Sequence, residues 1–254
     1  MMRNSMTVLV AALLSSMAAS AADLTAAQIA ERNVAARGGL EAWRQVSTMV
    51  WSGDMEVGGK QNTKLPFVLS MKRPNKSRVE ITFQNQTAVQ TWDGSQGWKL
   101  RPYLNRTEAD PFTTVEAKAE AGVDELDGPL VDYARKGTSI ELLGTEPVAG
   151  KNAYKLRLKK SNGDQRLVWI DATTFLEAKI EGDPRKMDNK VRKVYVGYAD
   201  YRAEGGLMVP HMLETSVDGV KGSHKMFIRT VSVNRPLDDA AFTKPRLVAQ
   251  TEKR

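Results

Sequence analysis

The 254-residue chain has no cysteine and only two histidines. The first absence removes disulfides, thiolate metal sites and the residue that carries the lipid of a bacterial lipoprotein. The second leaves little for acid–base or metal chemistry. His211 and His224 lack metal-ligand spacing, so surface or satisfied-core roles are expected of both. Neither GxGxxG nor GxSxG occurs. Gly144 to Lys151 superficially suggests a phosphate loop, but five residues rather than four precede Gly150, and Asn152 stands where Ser or Thr is required. Asp93-Gly94-Ser95-Gln96-Gly97 reads as a hairpin turn, not a nucleophile elbow. The carboxylate pairs Asp124/Asp127 and Asp238/Asp239 read as solvated helix-end groups. No metal or cofactor is implied, and a binding protein rather than an enzyme is expected. Past the N-terminus no apolar run approaches the ~18 residues of a membrane span, and the glycines and prolines show no period, which excludes collagen-like and low-complexity chains.

What is present begins with residues 1–22, laid out as a secretory signal. Arg3 precedes an apolar Met6–Leu14, and small residues lead to Ala19-Ser20-Ala21. Removal of this segment leaves one expected domain, 23–254, exported and not lipid-anchored. The mature chain keeps 36 Lys and Arg against 30 Asp and Glu, an excess of +6 that suits anionic partners in general. The densest basic run, Lys155 to Lys160, alternates with Tyr154, Leu156 and Leu158, so a solvated strand face is favoured over nucleic acid.

A helix is expected first, capped by Asp23 or Thr25, with Ile29, Ala30, Val34 and Ala36 near one face and Gly38-Gly39 ending it. Leu40–Val46 adds a short turn of helix carrying Trp43. Alternating strands follow: Met49, Trp51, Met55 and Val57 share a parity, as do Leu65, Phe67, Leu69 and Met71, then Val79, Ile81 and Phe83. Short helical pieces interrupt between Val115 and Lys136, with Leu126, Leu130 and Ala134 at helical spacing and Asp127 as a cap. Strands resume from Ile140 to Ile228, separated among others by Asn162-Gly163, Gly182-Asp183-Pro184 and Asp218-Gly219. The fold class is therefore mainly β within α+β: a single curved antiparallel sheet of about ten or eleven strands around helices.

Large adaptable side chains crowd the strand faces. Met49, Trp51, Met55, Phe67, Leu69, Met71, Val79, Ile81 and Phe83 are the candidate lining of a ligand cavity, with Leu126 and Leu130 from the helical pieces. On composition alone an ordinary core explains them. A curled sheet shifts that balance, because its concave face is broader than two short helical pieces fill.

The order and spacing of several short segments resemble the LolA-like periplasmic lipoprotein carriers, in particular the outer membrane lipoprotein-sorting protein family. These are Ala36-Arg37-Gly38-Gly39-Leu40, Lys72-Arg73-Pro74-Asn75 with Arg78, Trp92-Asp93-Gly94 with Gly97-Trp98, Asp127-Gly128-Pro129-Leu130-Val131-Asp132-Tyr133, Val168-Trp169-Ile170-Asp171, Tyr198-Ala199-Asp200-Tyr201-Arg202 and Phe242-Thr243-Lys244-Pro245. The resemblance implies an incomplete barrel covered by helices, an apolar cavity for acyl chains and a periplasmic location. Its cargo would be an acyl-chain lipid or lipoprotein, passed from an inner-membrane transporter to an outer-membrane acceptor with transient membrane-surface contact. It also implies that Arg73, in its Lys-Arg-Pro context, bonds the lid and keeps the empty cavity shut. Read without the resemblance, Arg73 is equally a strand-end arginine covering apolar surface with its stem. An envelope sensor or scaffold built on the same half-barrel is the alternative function.

Overall fold

The computed structural model describes residues 24–57, 63–121 and 126–247. The expected signal at 1–22, Asp23 and Asp124 lie outside them. Helices α1 (Ala26–Ala36) and α2 (Leu40–Arg44) precede strands β1 (Thr48–Val57), β2 (Thr63–Lys72), β3 (Lys76–Phe83), β4 (Gln86–Trp92), β5 (Gly97–Leu100) and β6 (Asp110–Pro111). After α3 (Thr114–Ala121) come β7 (Ser139–Val148), β8 (Lys151–Lys159), β9 (Gln165–Asp171), β10 (Glu177–Met187), β11 (Lys190–Glu204), β12 (Leu207–Val217) and β13 (Ser223–Val233).

All thirteen strands form one sheet in the order β6-β5-β4-β3-β2-β1-β13-β12-β11-β10-β9-β8-β7. Neighbours are antiparallel throughout, and β6 and β7 remain unpaired edges, so the barrel is open. The count exceeds the ten or eleven expected because strands such as β5 and β6, four and two residues long, are too short to show a period. Hairpins alternate between two rims. The turns at 84–85 and 188–189 place both residues at positive φ, with Asn at the second position, the twist-matched geometry of a two-residue hairpin.

Two sequence expectations are corrected. Gly182-Asp183-Pro184 does not separate strands: β10 runs through it with a bulge between Gly182 and Arg185, which frees Pro184 from the ladder, and the turn falls at Asp188-Asn189. Nor does Leu126 to Lys136 continue a helix. It forms successive turns, because Gly128, Asp132 and Gly137 all adopt positive φ. Leu126 and Leu130 therefore join different core clusters, and Ala134 is exposed.

Helix α1 is closed at its start by a reciprocal cap between Thr25 and Gln28. Its Ile29 and Ala30 pack with Leu130 onto Leu156, Val168, Ile170 and Ile180 of β8 to β10. Val34 joins Trp43, Val46, Met49, Val131, Leu207 and Val209. The helices thus fill one half of the concave face and one rim. On the convex side, Thr48, Lys72, Arg78 and Thr91, one from each of β1 to β4, donate to carbonyls of Arg235, Leu237, Ala241 and Thr243. That strap also buries Phe242 completely.

A bulge between Ser52 and Gly53 offsets β1 against β13, and a Cβ on Gly53 would stand 1.8 Å from the Phe227 carbonyl oxygen. Gly53→Ala is expected to cost about 1–3 kcal/mol in urea unfolding. Gly197→Ala, whose Cβ meets nothing closer than 3.8 Å, should stay within about 0.5 kcal/mol of the parent. Equal stability of the two variants would refute the close approach.

Candidate functional site

The period-2 pattern of β1 to β3 places its large apolar residues on the inner face, and register aligns them into rows. Trp51 stands opposite Leu69 and Val231; Leu69 in turn stands opposite Val79. Met55 faces Leu65 and Met226, and Met226 faces Leu213. Phe67 faces Ile81, which faces Ala88. Burial differs between the two ends of these strands. Met49, near the rim that carries α1 and α2, is fully buried against Trp43 and Val131. Trp51, Met55, Leu69, Met71, Val79 and Ile81 are half-buried, and Phe83 at the opposite rim is exposed.

The structure thus brings most of the candidate lining onto one apolar surface but not all of it into the open. Met49 and Leu130 serve the protein's own packing, Leu130 on the distant β8–β10 half. Phe67 is buried as well. Leu126, Trp51 and Met71 border the Trp43 cluster. Met226, Leu213 and Ala88 belong to the same surface and were missed, because only the register reveals that they share it.

Over the inner face of β3 to β5 lies α3. Ser77 donates to Glu120 at 2.6 Å, and Lys99 Nζ donates to both Glu116 oxygens at 2.5 and 2.6 Å. None of its residues is buried, and Val115 is 79% exposed. Polar contacts hold the helix itself, and just before it Phe112 stacks on Trp92 with ring centroids 6.5 Å apart.

At the helical rim a chain of charges ties the 126–138 segment to the barrel. Arg73 Nε donates to the Val46 carbonyl at 2.7 Å; its Nη2 donates to the Trp43 carbonyl at 3.1 Å and to Asp127 Oδ2 at 2.7 Å. Lys136 holds the other Asp127 oxygen at 2.6 Å. Arg37 donates to the Asp127 backbone carbonyl at 2.6 Å, lies 4.2 Å from the Trp43 ring centroid and pairs with Glu177 at 3.2 Å. Tyr201 donates to the Glu177 carbonyl at 3.0 Å. Burial, then the Glu177 charge, push that phenol well above its usual range. Arg73, singled out for its Lys-Arg-Pro setting, lies in this cluster. Asp127, read as a helix cap, is instead the acceptor at the centre of the cluster. Glu177 and Lys136 carried no signal, since their partners are distant in sequence.

The remaining chemical candidates are structural. His211 is buried, with Nδ1 2.8 Å from the Ile228 carbonyl and Nε2 3.0 Å from Glu204. Asp238 accepts from the Ala240 amide, and Asp239 pairs with Lys72 and Lys76. A groove of about 1040 Å³ lined by Arg78, Trp98, Lys244 and Arg246 lies beside the convex-face strap, away from the apolar rows.

No family model matches the sequence, and no curated protein is similar to it. Solved structures are. A LolA superfamily protein from Nitrosomonas europaea aligns with TM-score 0.57 at 17% identity, covering 87% of this chain and 99% of that one. A putative outer membrane lipoprotein-sorting protein domain from Vibrio parahaemolyticus gives 0.54 at 14% identity, covering 85% and 95%. A DUF1329 family protein from Desulfovibrio piger gives 0.57 at 12%, covering 87% and 98%. The fold is LolA-like: a mostly β, open antiparallel half-barrel with helices on its concave side.

The flap is expected to respond to acid. The hydrogen bond from Lys99, followed by that from the Thr113 amide, holds the Glu116 carboxyl at about 2 instead of 4.5. A depressed carboxylate pKa stabilises the folded form above the unfolded value, and that contribution fades as pH falls through the folded one. Hydrogen exchange at α3 should therefore accelerate, beyond its intrinsic pH dependence, between pH 4.5 and about 2. Glu116→Gln should show the loosened flap already at neutral pH. Unchanged protection in that variant would mean that the ion pair does not hold α3.

Proposed function

We propose that this protein is a periplasmic lipid or lipoprotein carrier that shelters acyl chains on the inner face of β1 to β4 and passes them toward the outer membrane. The observation that carries this reading is the set of apolar rows left half-buried inside the open barrel, on the half that α1 does not fill. Each acyl methylene buried there gains up to ~0.8 kcal/mol, so affinity requires no catalytic group. The LolA superfamily and lipoprotein-sorting names borne by its structural neighbours agree with the reading, as does the signal-like layout of residues 1–22.

Loading requires space, and two covers stand beside the rows. The α3 flap buries none of its own residues and is held by polar contacts, with Phe112 stacked on Trp92 just before its start. The 126–138 segment is latched by Arg73 to Asp127, with the same guanidinium bound to two carbonyls near α2. On this reading the latch favours the closed, empty state and so opposes cargo retention. The donor is an inner-membrane transporter and the acceptor lies in the outer membrane.

Protein purified without detergent should carry lipid visible in native mass spectrometry and should bind a fluorescent fatty acid. Repeated absence of both, with a stable protein partner instead, would favour the sensor or scaffold reading. Arg73→Leu removes hydrogen bonds of a charged group, each of the order of 1.5–3 kcal/mol, and should slow fatty-acid release about tenfold or more while the fold persists by circular dichroism. Transfer kinetics equal to the parent's would remove Arg73 from the gate.

A further inference from the structure

Strand alternation fixes which loops share a rim. The helical rim carries the turns at 73–75, 93–96, 149–150, 172–176 and 205–206. The other carries the turns at 84–85, 101–109, 160–164, 188–189 and 218–222. This second rim exposes Phe83, Tyr103, Leu104, Met187, Val191 and Val220 on four separate loops or hairpins, with Val191 at 74% and Leu104 at 54% exposure. Phe83 and Tyr103 meet edge to face across two of those loops, so part of the apolar rim is pre-ordered.

The β10–β11 tip is strongly basic. Residues 185–193 hold Arg185, Lys186, Lys190, Arg192 and Lys193 against a single acid, Asp188. Arg192 donates to the Asp218 carbonyl, and Lys193 pairs with Glu181. Arg185, Lys186 and Lys190 have no ion-pair partner among the described residues, nor has Lys221 on the neighbouring β12–β13 turn. β10 pairs with β9 only as far as Ile180, and β11 pairs with β12 only from Val194, so the tip pairs within itself. Lys186 stands directly opposite Val191, and Met187 opposite Lys190, which puts a cation beside each protruding apolar side chain.

We propose that this rim docks the protein on an anionic lipid bilayer, with the tip side chains entering the interfacial layer and the lysines meeting headgroup charge. The pattern fits that occupant. The centres of protein–protein interfaces are depleted of lysine and apolar in one contiguous patch, whereas a membrane surface accepts scattered apolar tips and rewards nearby Lys and Arg. Met49 at the helical rim is fully buried and Phe83 at this rim is exposed, so the inner apolar surface comes into the open here. The purpose of docking rests on the carrier reading, but docking itself is measured separately.

The absence of cysteine permits single-site labelling. Val191→Cys carrying an environment-sensitive dye should brighten with vesicles of phosphatidylcholine plus phosphatidylglycerol, brighten less with phosphatidylcholine alone, and lose the gain in high salt. The same dye at Thr173→Cys, on the helical rim, should not respond. Lys186→Glu with Lys190→Glu should weaken vesicle binding roughly tenfold or more while leaving fatty-acid binding in solution unchanged. No vesicle binding, an equal response at both labels, binding indifferent to the charge reversals, or capture of the labelled tip by a protein in place of lipid would each overturn the proposal. Loss of fatty-acid binding in the parent, with rim docking intact, would instead sink the carrier reading alone.

Discussion

A curved sheet of this size has more concave apolar surface than its own helices can cover, and how that surplus is divided governs the rest of the molecule. Helix α1 lays Ile29, Ala30 and Val34 against the β8–β10 half and the helical rim. Leu130 and Val131 extend that packing. The β1–β4 half receives α3, an alanine- and glutamate-rich helix that buries none of its residues. At roughly 25 cal/mol per Å² of apolar surface left in contact with water, a half-covered row of Trp, Met, Leu and Val side chains is unfavourable for stability. On the other half the partly buried apolar side chains, Ile140, Leu142 and Val196 among them, pack against the cluster under α1, so the rows of β1 to β4 are the ones a bound ligand would cover.

The charged cluster at the helical rim complements this division. Asp127 is nearly inaccessible, and such a carboxylate is stable there only because Arg73, Lys136 and the fixed donors around it replace water. Ion pairs of this kind contribute more to where a segment sits than to net stability. Here the segment forms turns rather than a continuous helix: Lys136 N donates to the Asp132 carbonyl at 3.0 Å, and left-handed Gly128, Asp132 and Gly137 interrupt any longer run. Its position is set by Arg37 at the end of α1, by Arg73 in the β2–β3 turn, by its own Lys136 and by the burial of Leu130 and Val131 in the two core clusters.

Much of this was legible in the sequence, and the illegible parts have identifiable causes. The parity of Met49, Trp51 and Met55, the Thr25 cap, the short helix carrying Trp43 and the Arg73 setting all depend on neighbours within a few residues. The pairing of Met55 with Met226, or of Arg37 with Glu177, joins positions more than a hundred residues apart, and no local pattern encodes them. Gly182-Asp183-Pro184 misled because a bulge and a turn use the same residue types. The 126–136 stretch misled for a different reason. Its helical spacing was genuine, but left-handed residues at 128 and 132 override a three-point period.

The half-burial of the inner rows also bears on how a carrier releases what it holds. Two or three long acyl chains fully enclosed would gain over ~20 kcal/mol at ~0.8 kcal/mol per methylene, an affinity at which transfer between membranes would stall. Rows that are already partly covered by Trp51 and Met71 packing against the Trp43 cluster have less surface to offer, and entry also has to displace whatever closes the barrel. On the carrier reading, the latch around Asp127 and the flap contact at Glu116 subtract from binding by favouring the empty form, each through a few charge-assisted hydrogen bonds. On the same reading, moderate affinity then follows from geometry: an open barrel, one half filled by its own helix, the other beside a flap with no buried residue and a segment fixed by the ion pairs of Asp127 together with buried Leu130 and Val131.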